Sequence, residues 1–415
     1  MANRKGSRLD ALADDYVRLV LAVERHDRHF IDCYFGPPAW RVEARRGKPR
    51  PLPRLLSQAG TLRDAVRAEP VSERREFLER QIVAVESGLR RLSGERLAWP
   101  ELLSTQLDAE PVPFRASEIR VLHDRLETIL PGRGRIADRM GRFYRRCAVR
   151  PSRLWGVALD CLRLLRARTD ACFALPPNEG VRLRLVRGKP WGAYSRYLGG
   201  GRSLVELNAD RPQHPAGLLA TMAHEAYPGH HTFLALREQV LVRENGWREH
   251  AVLVLASPLS VVAEGAACMA LRVIMAEPDI REFLRRIFAT ETGASGRDVE
   301  TYLAVDSAIG LGRDEVTLAM EAGRRALEEG ATSREIIRFM TRGGVSPANA
   351  RSLVPFIRTY GAYICSYRLG MDLMERYLGD GPDRIRRYGE VLRRPFTPAA
   401  LRRAAKRPEP RSGSS

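Results

Sequence analysis

The sequence predicts a mainly α-helical protein with one small antiparallel β-sheet. Apolar residues recur three and four positions apart over 8–30 and over 73–94, which is the period of a helix with one buried face. The stretch 190–208 instead alternates its side chains around three consecutive glycines, which is the pattern of a β-hairpin. We therefore expect a large helical core with the hairpin beside it.

Three regions are expected along the chain. Residues 1–150 form an N-terminal helical region, and residues 151–392 form the helical region that carries the catalytic site. The tail 393–415 is basic and is expected to lack fixed structure.

Helix and loop signals place further elements within these regions. The segment 46–58 is rich in proline and arginine and is expected to be a loop. A long helix is expected over 152–175. Another helix is expected over 215–227, because Pro215 suits the first turn of a helix. The hairpin therefore comes just before the helix that carries the histidines described below.

The composition indicates a globular protein without a membrane span. Of the 415 residues, 44% are hydrophobic and 29% are charged. The longest apolar run, 251–263, is too short to cross a bilayer and contains Pro258. The N-terminal stretch 1–17 lacks the apolar segment of a signal peptide, so we expect a cytoplasmic protein with no membrane partner. The six cysteines form no C-x-x-C pair and are expected to be reduced.

The net charge of +19 comes almost entirely from arginine. Only four of the 69 basic residues are lysine, which leaves 69 − 4 = 65 arginines. They are spread along the chain and alternate with acids, as in 72–81, which is typical of a solvated helix face. No nucleic-acid recognition motif accompanies them, so we expect no specific nucleic-acid partner.

The most informative stretch is TMAHEAYPGHHTF, residues 221–233. It begins like the zinc-peptidase motif H-E-x-x-H, but Pro228 stands where the second histidine belongs. In a regular helix His231 would lie two turns, or ~10 Å, from His224, which is too far for one zinc ion. A bulged turn would instead return His230 to the metal. We therefore predict His224 and His230 as ligands and His231 as a second-sphere or substrate-binding residue, although the motif alone leaves His231 open as the second ligand.

A third ligand is expected from Glu264, which stands alone in the apolar stretch 260–274. A buried carboxylate needs a partner, and a metal ion is a suitable one. The alternative is an ion pair between Glu264 and an arginine. Three protein ligands and one open position are typical of a single catalytic zinc ion, and Glu225 is then placed to act as the general base.

A tyrosine-rich stretch, 359–370, indicates groups that could stabilise a transition state. Tyr360, Tyr363 and Tyr367 recur three and four residues apart, on one face of a helix. Tyr363 and Tyr367 are predicted catalytic residues, since tyrosine hydroxyls can donate to a developing oxyanion. Arg368 is predicted to bind a substrate carboxylate. The alternative is an aromatic stripe that belongs to the core.

These motifs together resemble the bacterial domain-of-unknown-function family 885. The resemblance rests on HEAYPGHH, on Glu-Gly forty residues after the first histidine, and on SYRLG near the C-terminus. YFGPPAW, LPGRGRIADR and WGAYSRYLGGGRSLVELN extend it over roughly residues 10–390. The resemblance implies a mostly helical, zinc-peptidase-like fold, distantly similar to thermostable carboxypeptidases and oligopeptidases. It also implies His224, Glu225, His230 and Glu264 as the metal-site residues and supports a role for Tyr367 and Arg368.

The sequence therefore predicts a zinc-dependent hydrolase, most simply a peptidase that acts on short peptides. One alternative is a metal-dependent hydrolase of another amide or an ester, and a second is a non-catalytic metal-binding protein with a closed site. A nucleic-acid-associated protein is the alternative that the net charge suggests. The exposed strand of the hairpin suits an extended peptide. The sequence leaves open the bond cleaved, the metal's identity and the oligomeric state.

Overall fold

The fold is described from a computed structural model of the chain, over residues 7–189, 191–210, 212–310 and 312–406. Helices build most of this part of the chain, and the sheets are small. The predicted mainly α-helical fold class is therefore confirmed.

The N-terminal helices divide between two apolar cores. They are α1 Arg8–Val23, α2 Pro38–Ala44, α3 Leu52–Arg67, α4 Glu73–Leu92, α5 Trp99–Leu107, α6 Ala116–Ile129 and α7 Ile136–Arg146. Helices α1, α3 and α4 pack around a smaller core, to which Val252 and Val254 also contribute. Helices α5 to α7 bury their apolar faces in the larger core that fills the rest of the molecule.

Twelve further α-helices follow in the described part of the chain. They are α8 Leu154–Phe173, α9 Pro215–Glu225, α10 His230–Arg237, α11 Pro258–Ile274, α12 Glu277–Glu291, α13 Gly296–Ile309, α14 Arg313–Leu327, α15 Ser333–Arg342, α16 Pro347–Tyr360, α17 Cys365–Leu378, α18 Arg384–Arg393 and α19 Pro398–Ala405. A π-helical segment, Glu238–Glu244, continues α10, and a 3-10 turn, Gly361–Ile364, joins α16 to α17.

Helix α11 is the central helix of the larger core. Ser257 caps its first turn, and Pro258 occupies the first helical position, where no backbone donor is needed. The helix is buried along almost its whole length and packs most extensively against α17. The positions of α11 and α17 relative to each other are therefore fixed by this packing.

The strands form two small sheets. They are β1 Ile31–Tyr34, β2 Gly180–Val186, β3 Ala193–Gly199, β4 Arg202–Asn208 and β5 Val252–Val254. β3 and β4 are antiparallel and joined by the glycine turn, so the predicted hairpin is confirmed from residue 191 on, and Pro190 lies outside the described residues. The sequence analysis missed β2, which pairs in parallel with β4, and the antiparallel pair β1–β5.

Two predicted unstructured segments are partly helical. The tail 393–415 contains α19, whose first turn is capped by Thr397 and whose buried Leu401 joins the larger core. Helix α3 likewise begins inside the expected loop 46–58, at Leu52 directly after Pro51. In both cases a proline lies within the first two positions of the helix, Pro53 in α3 and Pro398 in α19, where its fixed φ is favourable. Residues 407–415 lie outside the described residues.

Within the described residues, no single helix is long and apolar enough to span a membrane. One bent pair, Pro258–Ile274 with Glu277–Glu291, satisfies the length and composition criteria only when the two helices are taken together, and they meet at 85°.

Candidate metal centre and its cavity

The histidine motif forms a sharp turn between two helices. Helix α9 ends at Glu225 and α10 begins at His230, so the chain reverses within four residues. A side chain at Gly229 would place its Cβ 1.9 Å from the carbonyl oxygen of His224, so only glycine fits this close approach. The Gly229 amide donates to the carbonyl of Ala223 at 2.9 Å. This contact returns His230 to the side of His224.

His224, His230 and Glu264 are brought together as the sequence predicted. The Nε2 atoms of the two histidines lie 3.1 Å apart. His224 Nε2 lies 3.4 Å from Glu264 Oε2, and His230 Nε2 lies 3.4 Å from Glu264 Oε1. Among the described residues, these three alone form a cluster of potential metal ligands with all ligand atoms within 4.8 Å.

The three residues fit a zinc ion. Zinc–nitrogen and zinc–oxygen bonds of ~2.0–2.2 Å in a tetrahedron separate neighbouring ligand atoms by ~3.3–3.6 Å, close to the distances in this cluster. Glu264 Oε2 is buried without a hydrogen-bond partner, although a carboxylate oxygen of that kind needs one. A cation at the centre of the cluster would satisfy it. Two imidazoles and one carboxylate are also a donor set that zinc accepts.

Close packing of α11 against α17 places Glu264 opposite the tyrosines. A Cβ on Gly265 would lie 2.3 Å from the Gly370 carbonyl oxygen, and a Cβ on Gly370 would lie 2.3 Å from that of Val261. The two helices therefore touch through their backbones. The glycines of Glu-Gly and SYRLG thus have a physical explanation, since they allow the carboxylate and the tyrosines to meet.

The protein charges at the centre favour a bound proton where no metal is present. Burial disfavours the charged form of His224, but its contacts with Cys268 and Glu264 outweigh burial and raise its pKa to about 10. Burial also opposes protonation of His230, yet the charge of Glu264 raises its pKa to about 9. Burial alone would raise the pKa of Glu264, but the two histidines lower it well below its usual range. Either a bound proton or a metal ion therefore stabilises the cluster.

The tyrosines reach the same centre. Tyr363 donates its hydroxyl hydrogen to Glu264 Oε1 at 2.5 Å, and its oxygen lies 3.4 Å from the hydroxyl of Tyr367. Burial, reinforced by the charge of Glu264, raises the pKa of both hydroxyls well above the ordinary value. Both groups are therefore hydrogen-bond donors at neutral pH.

The centre lies in the wall of a cavity of about 650 Å³, a usual size for a site that binds a small ligand. His224, Glu225, His230 and Glu264 line it, together with strand β3 and helices α16 and α17. β3 is an edge strand of the sheet order β2–β4–β3. His224 and Glu225 also line a second cavity of about 370 Å³. Glu225 thus lies beside the predicted ligands and faces open space on two sides.

The structure gives no support for the predicted substrate-binding role of His231. Its side chain is fully buried and does not line either cavity. His231 Nδ1 lies 2.8 Å from Ser203 Oγ, and its Nε2 lies 2.9 Å from Glu179 Oε2, which also accepts from Tyr227. His231 therefore ties the turn to the sheet and leaves His230 as the histidine that faces the centre.

The predicted substrate-binding role of Arg368 likewise has no support in the structure. The side chain is buried away from the cavity, because the residue after Tyr367 points to another side of α17. Its Nε donates to Asp372 at 2.9 Å, and its guanidinium also donates to Thr317. Arg368 therefore joins α14 to α17.

The sequence analysis missed Asp32 and Tyr194, which line the cavity. The Tyr194 hydroxyl donates to Asp32 Oδ1 at 3.3 Å. Burial raises the pKa of Asp32 to about 6, with smaller contributions from Glu264 and Glu225, while His230 opposes the shift. A lone acid among the apolar residues 30–35 was the available signal, and it is the same signal that identified Glu264.

No model of a known protein family matches the chain, and no curated protein matches it. The resemblance to the domain-of-unknown-function family 885 therefore stays a prediction.

Solved structures resemble the fold. "The putative lipoprotein from Colwellia psychrerythraea" superposes with a TM-score of 0.52 at 16% identity, over 85% of this chain and 69% of that one. A "putative lipoprotein of unknown function from Shewanella oneidensis" gives a TM-score of 0.48 at 13% identity, over 97% of this chain and 79% of that one. At 16% identity, the similarity to the Colwellia psychrerythraea protein concerns the fold alone.

Proposed function

We propose that the protein is a zinc-dependent hydrolase that cleaves short peptides. The observation that carries the proposal is the convergence of His224, His230 and Glu264, with ligand atoms 3.1–3.4 Å apart, in the wall of a cavity of about 650 Å³. Three protein ligands leave one tetrahedral position for water or substrate, as in catalytic zinc sites. The resemblance to the domain-of-unknown-function family 885 supports the same activity.

Glu225 is the general base of this proposal. It adjoins a predicted ligand, lines both cavities, and has no ion-pair partner among the described residues, so its carboxylate is free to take a proton. Zinc, when bound, supplies a Lewis acid that polarises the scissile carbonyl and lowers the pKa of water. Glu225 takes the proton from the attacking water and passes it to the leaving amine.

Tyr367 is the donor to the oxyanion. Tyr363 already donates its only hydroxyl hydrogen to Glu264, so it orients that carboxylate and is not free to donate to substrate. The Tyr367 hydroxyl borders the cavity and can turn its hydrogen from Tyr363 toward a substrate oxygen. The sequence predicted both tyrosines as donors to the oxyanion. In this proposal Tyr367 is that donor, and Tyr363 orients Glu264.

The position of His231 favours a catalytic site over a non-catalytic one. A closed site would need a fourth protein ligand, and His231 was the candidate in the sequence. Its two ring nitrogens contact Ser203 and Glu179 instead. Hydrolysis of another amide or of an ester uses the same groups, and a panel of peptides, amides and esters separates these substrates.

Glu225→Gln tests the proposal. The amide cannot accept the proton, so we expect kcat on a cleaved peptide to fall by ~10²–10⁴ with the zinc content unchanged. Glu264→Gln is the matched variant and should lose zinc. Wild-type-like turnover by Glu225→Gln would remove Glu225 from the mechanism. Failure of the zinc-loaded wild type to cleave any member of the panel would reject the hydrolase.

A further inference from the structure

Asp32 is aimed at the cavity by an irregularity in its strand. β1 and β5 pair in register at Ile31 and again at Cys33, and the register shifts between these two residues, at Asp32. Such bulges re-aim a side chain and are frequent next to active sites. Cys33 is buried and does not line the cavity, whereas the Asp32 side chain lines it beside Ile31.

No arginine or lysine forms an ion pair with Asp32 within the described part of the chain. Its carboxylate accepts a hydrogen bond from Tyr194, a neutral donor at 3.3 Å. The arginines on the neighbouring sheet face are engaged elsewhere, because Arg184 donates to Glu206 and Arg196 lies 3.7 Å from the same carboxylate. In a chain with 69 basic residues, an unpaired acid in a cavity wall is available for a cation from outside.

The charge near the centre calls for one more cation. Zinc would bring +2, and the ionised carboxylates of Asp32, Glu225 and Glu264 bring −3, so with neutral histidines the sum for these groups is +2 − 3 = −1. This sum leaves out the arginines and the lysine of the outer wall, which are described below. Asp32 is outside the cluster of three potential ligands, and it acts on His230 through space without a hydrogen bond. A single positive group on the substrate would neutralise this end of the cavity.

We propose that Asp32, held by Tyr194, binds the free amino terminus of the substrate, so that the enzyme removes residues from the N-terminal end of short peptides. This inference rests on the proposed function. An α-ammonium adjoins the first peptide carbonyl, so a carboxylate beside the metal centre holds that carbonyl at the reacting position. The rest of the peptide then extends along the edge strand β3, whose residues Ala193 to Arg196 line the cavity.

The opposite orientation, with the substrate carboxylate at the centre, has less support. Apart from the histidines, the basic side chains that line the cavity are Arg184, Lys189 and Arg196, on the sheet and the loop before β3. Arg184 and Arg196 are 56% and 55% exposed, and both lie next to Glu206. They therefore belong to the outer wall, where they can meet the carboxyl end of a peptide that enters amino end first.

The test uses the zinc-loaded full chain and two probes, leucine hydroxamate and N-acetyl-leucine hydroxamate, titrated by calorimetry. Both probes offer the same metal-binding group, and only the first has an α-ammonium. We expect the wild type to bind the free amine ~10–100-fold more tightly, as a charged hydrogen bond permits. Asp32→Asn should abolish this preference and keep its zinc. Asp306→Asn, an acid in the wall of the second cavity, is the matched control and should keep the preference.

Each other outcome counts against the inference in a distinct way. Equal binding of the two probes by the zinc-loaded wild type would overturn it while leaving the metal site intact. A preference that survives in Asp32→Asn would assign the amine to another residue. If Nα-acetyl-lysine hydroxamate also bound more tightly than N-acetyl-leucine hydroxamate, by the same factor, Asp32 would bind a basic side chain and not the amino terminus. A wild type that takes up no zinc would reject the proposed function itself, and this inference with it.

Discussion

Tyr363 and Tyr367 lie one helical turn apart, yet their hydroxyls have different partners. Tyr363 donates to Glu264, whereas within the described residues the hydroxyl of Tyr367 has a hydrogen-bond contact with Tyr363 alone, at 3.4 Å. Residues around a metal site that bond to a ligand tune metal affinity, while donors that face the substrate act on the transition state. Substituting the two tyrosines separately should therefore affect different measured quantities.

Tyr367→Phe should lower kcat by ~10²–10³ with little change in KM or zinc content, because it removes one donor to the oxyanion. Tyr363→Phe should instead weaken zinc binding by ~10–100-fold, because Glu264 loses its orienting hydrogen bond. Steady-state kinetics and zinc titration of both variants measure the two effects. If Tyr363→Phe lost turnover while binding zinc normally, the assignment of the two roles would be reversed.

The residues that the sequence predicted to lie together share one property. Each of them differs in polarity or backbone preference from the residues around it in the sequence. Glu264 is an acid in an apolar helix, and Pro228 interrupts the helix between His224 and His230, where the bulged turn was expected. His231 and Arg368 are polar residues adjacent to functional ones, and sequence spacing does not tell which way such a neighbour points. Their buried partners, Glu179 and Asp372, become visible only in the folded chain.

Among the elements, the pair α11 and α17 controls the geometry of the centre. Gly265 and Gly370 bring the two backbones into direct contact, and Glu264 and the tyrosines meet on either side of that contact. Helices this close tolerate no added methyl group, because backbone atoms cannot move aside as a flexible side chain can.

Gly265→Ala should destabilise the protein by about 1–3 kcal/mol and weaken zinc binding, since the new Cβ would meet the Gly370 carbonyl oxygen at 2.3 Å. The matched control is Gly156→Ala in α8, where nothing lies within 4 Å of the added Cβ. That change should stabilise the helix by roughly 0.5–1 kcal/mol. Denaturant unfolding of both variants measures the difference. Equal effects would show that the glycine contact does not set the helix separation.

Local patterns predicted some elements and long-range pairing produced others. The hairpin follows from alternation around a glycine turn, which neighbouring residues determine. The parallel pairing of β2 with β4 and the pairing of β1 with β5 join distant parts of the chain, and no local signal specifies them. Helix α19 was missed because it is an eight-residue segment within a basic tail, and the packing of Leu401 on the core is visible only in the folded chain.

At the level of the whole molecule, the centre links stability to pH. The pKa values of His224 and His230, about 10 and about 9 without metal, lie above the ordinary histidine value of about 6.5. A folded state that holds its protons more tightly than the unfolded state gains stability below about pH 6.5 and loses it as the pH rises through the folded pKa. Zinc replaces these protons, so its binding strengthens over the same range.

We therefore expect the free energy of unfolding of the metal-free protein to fall from about pH 7 to about pH 10. Over the same pH range, the stabilisation by bound zinc should increase. The free energy of unfolding of the wild type minus that of His224→Ala isolates the contribution of the centre. This difference should shrink as the pH rises without metal and grow with saturating zinc. A difference that is independent of pH under both conditions would show that the cluster holds neither a proton nor a metal in the folded state.

The most direct test of the account is the zinc content of the purified protein and of three variants. About one zinc per chain is expected in the wild type, with loss in His224→Ala and Glu264→Ala, since each removes a ligand. His26→Ala is the matched control, because its Nε2 contacts the Arg50 carbonyl at 2.8 Å, outside the cluster, and it should retain the metal. A wild type that neither contains zinc nor takes it up, or ligand variants that keep it, would contradict the assignment of His224, His230 and Glu264 as a metal centre.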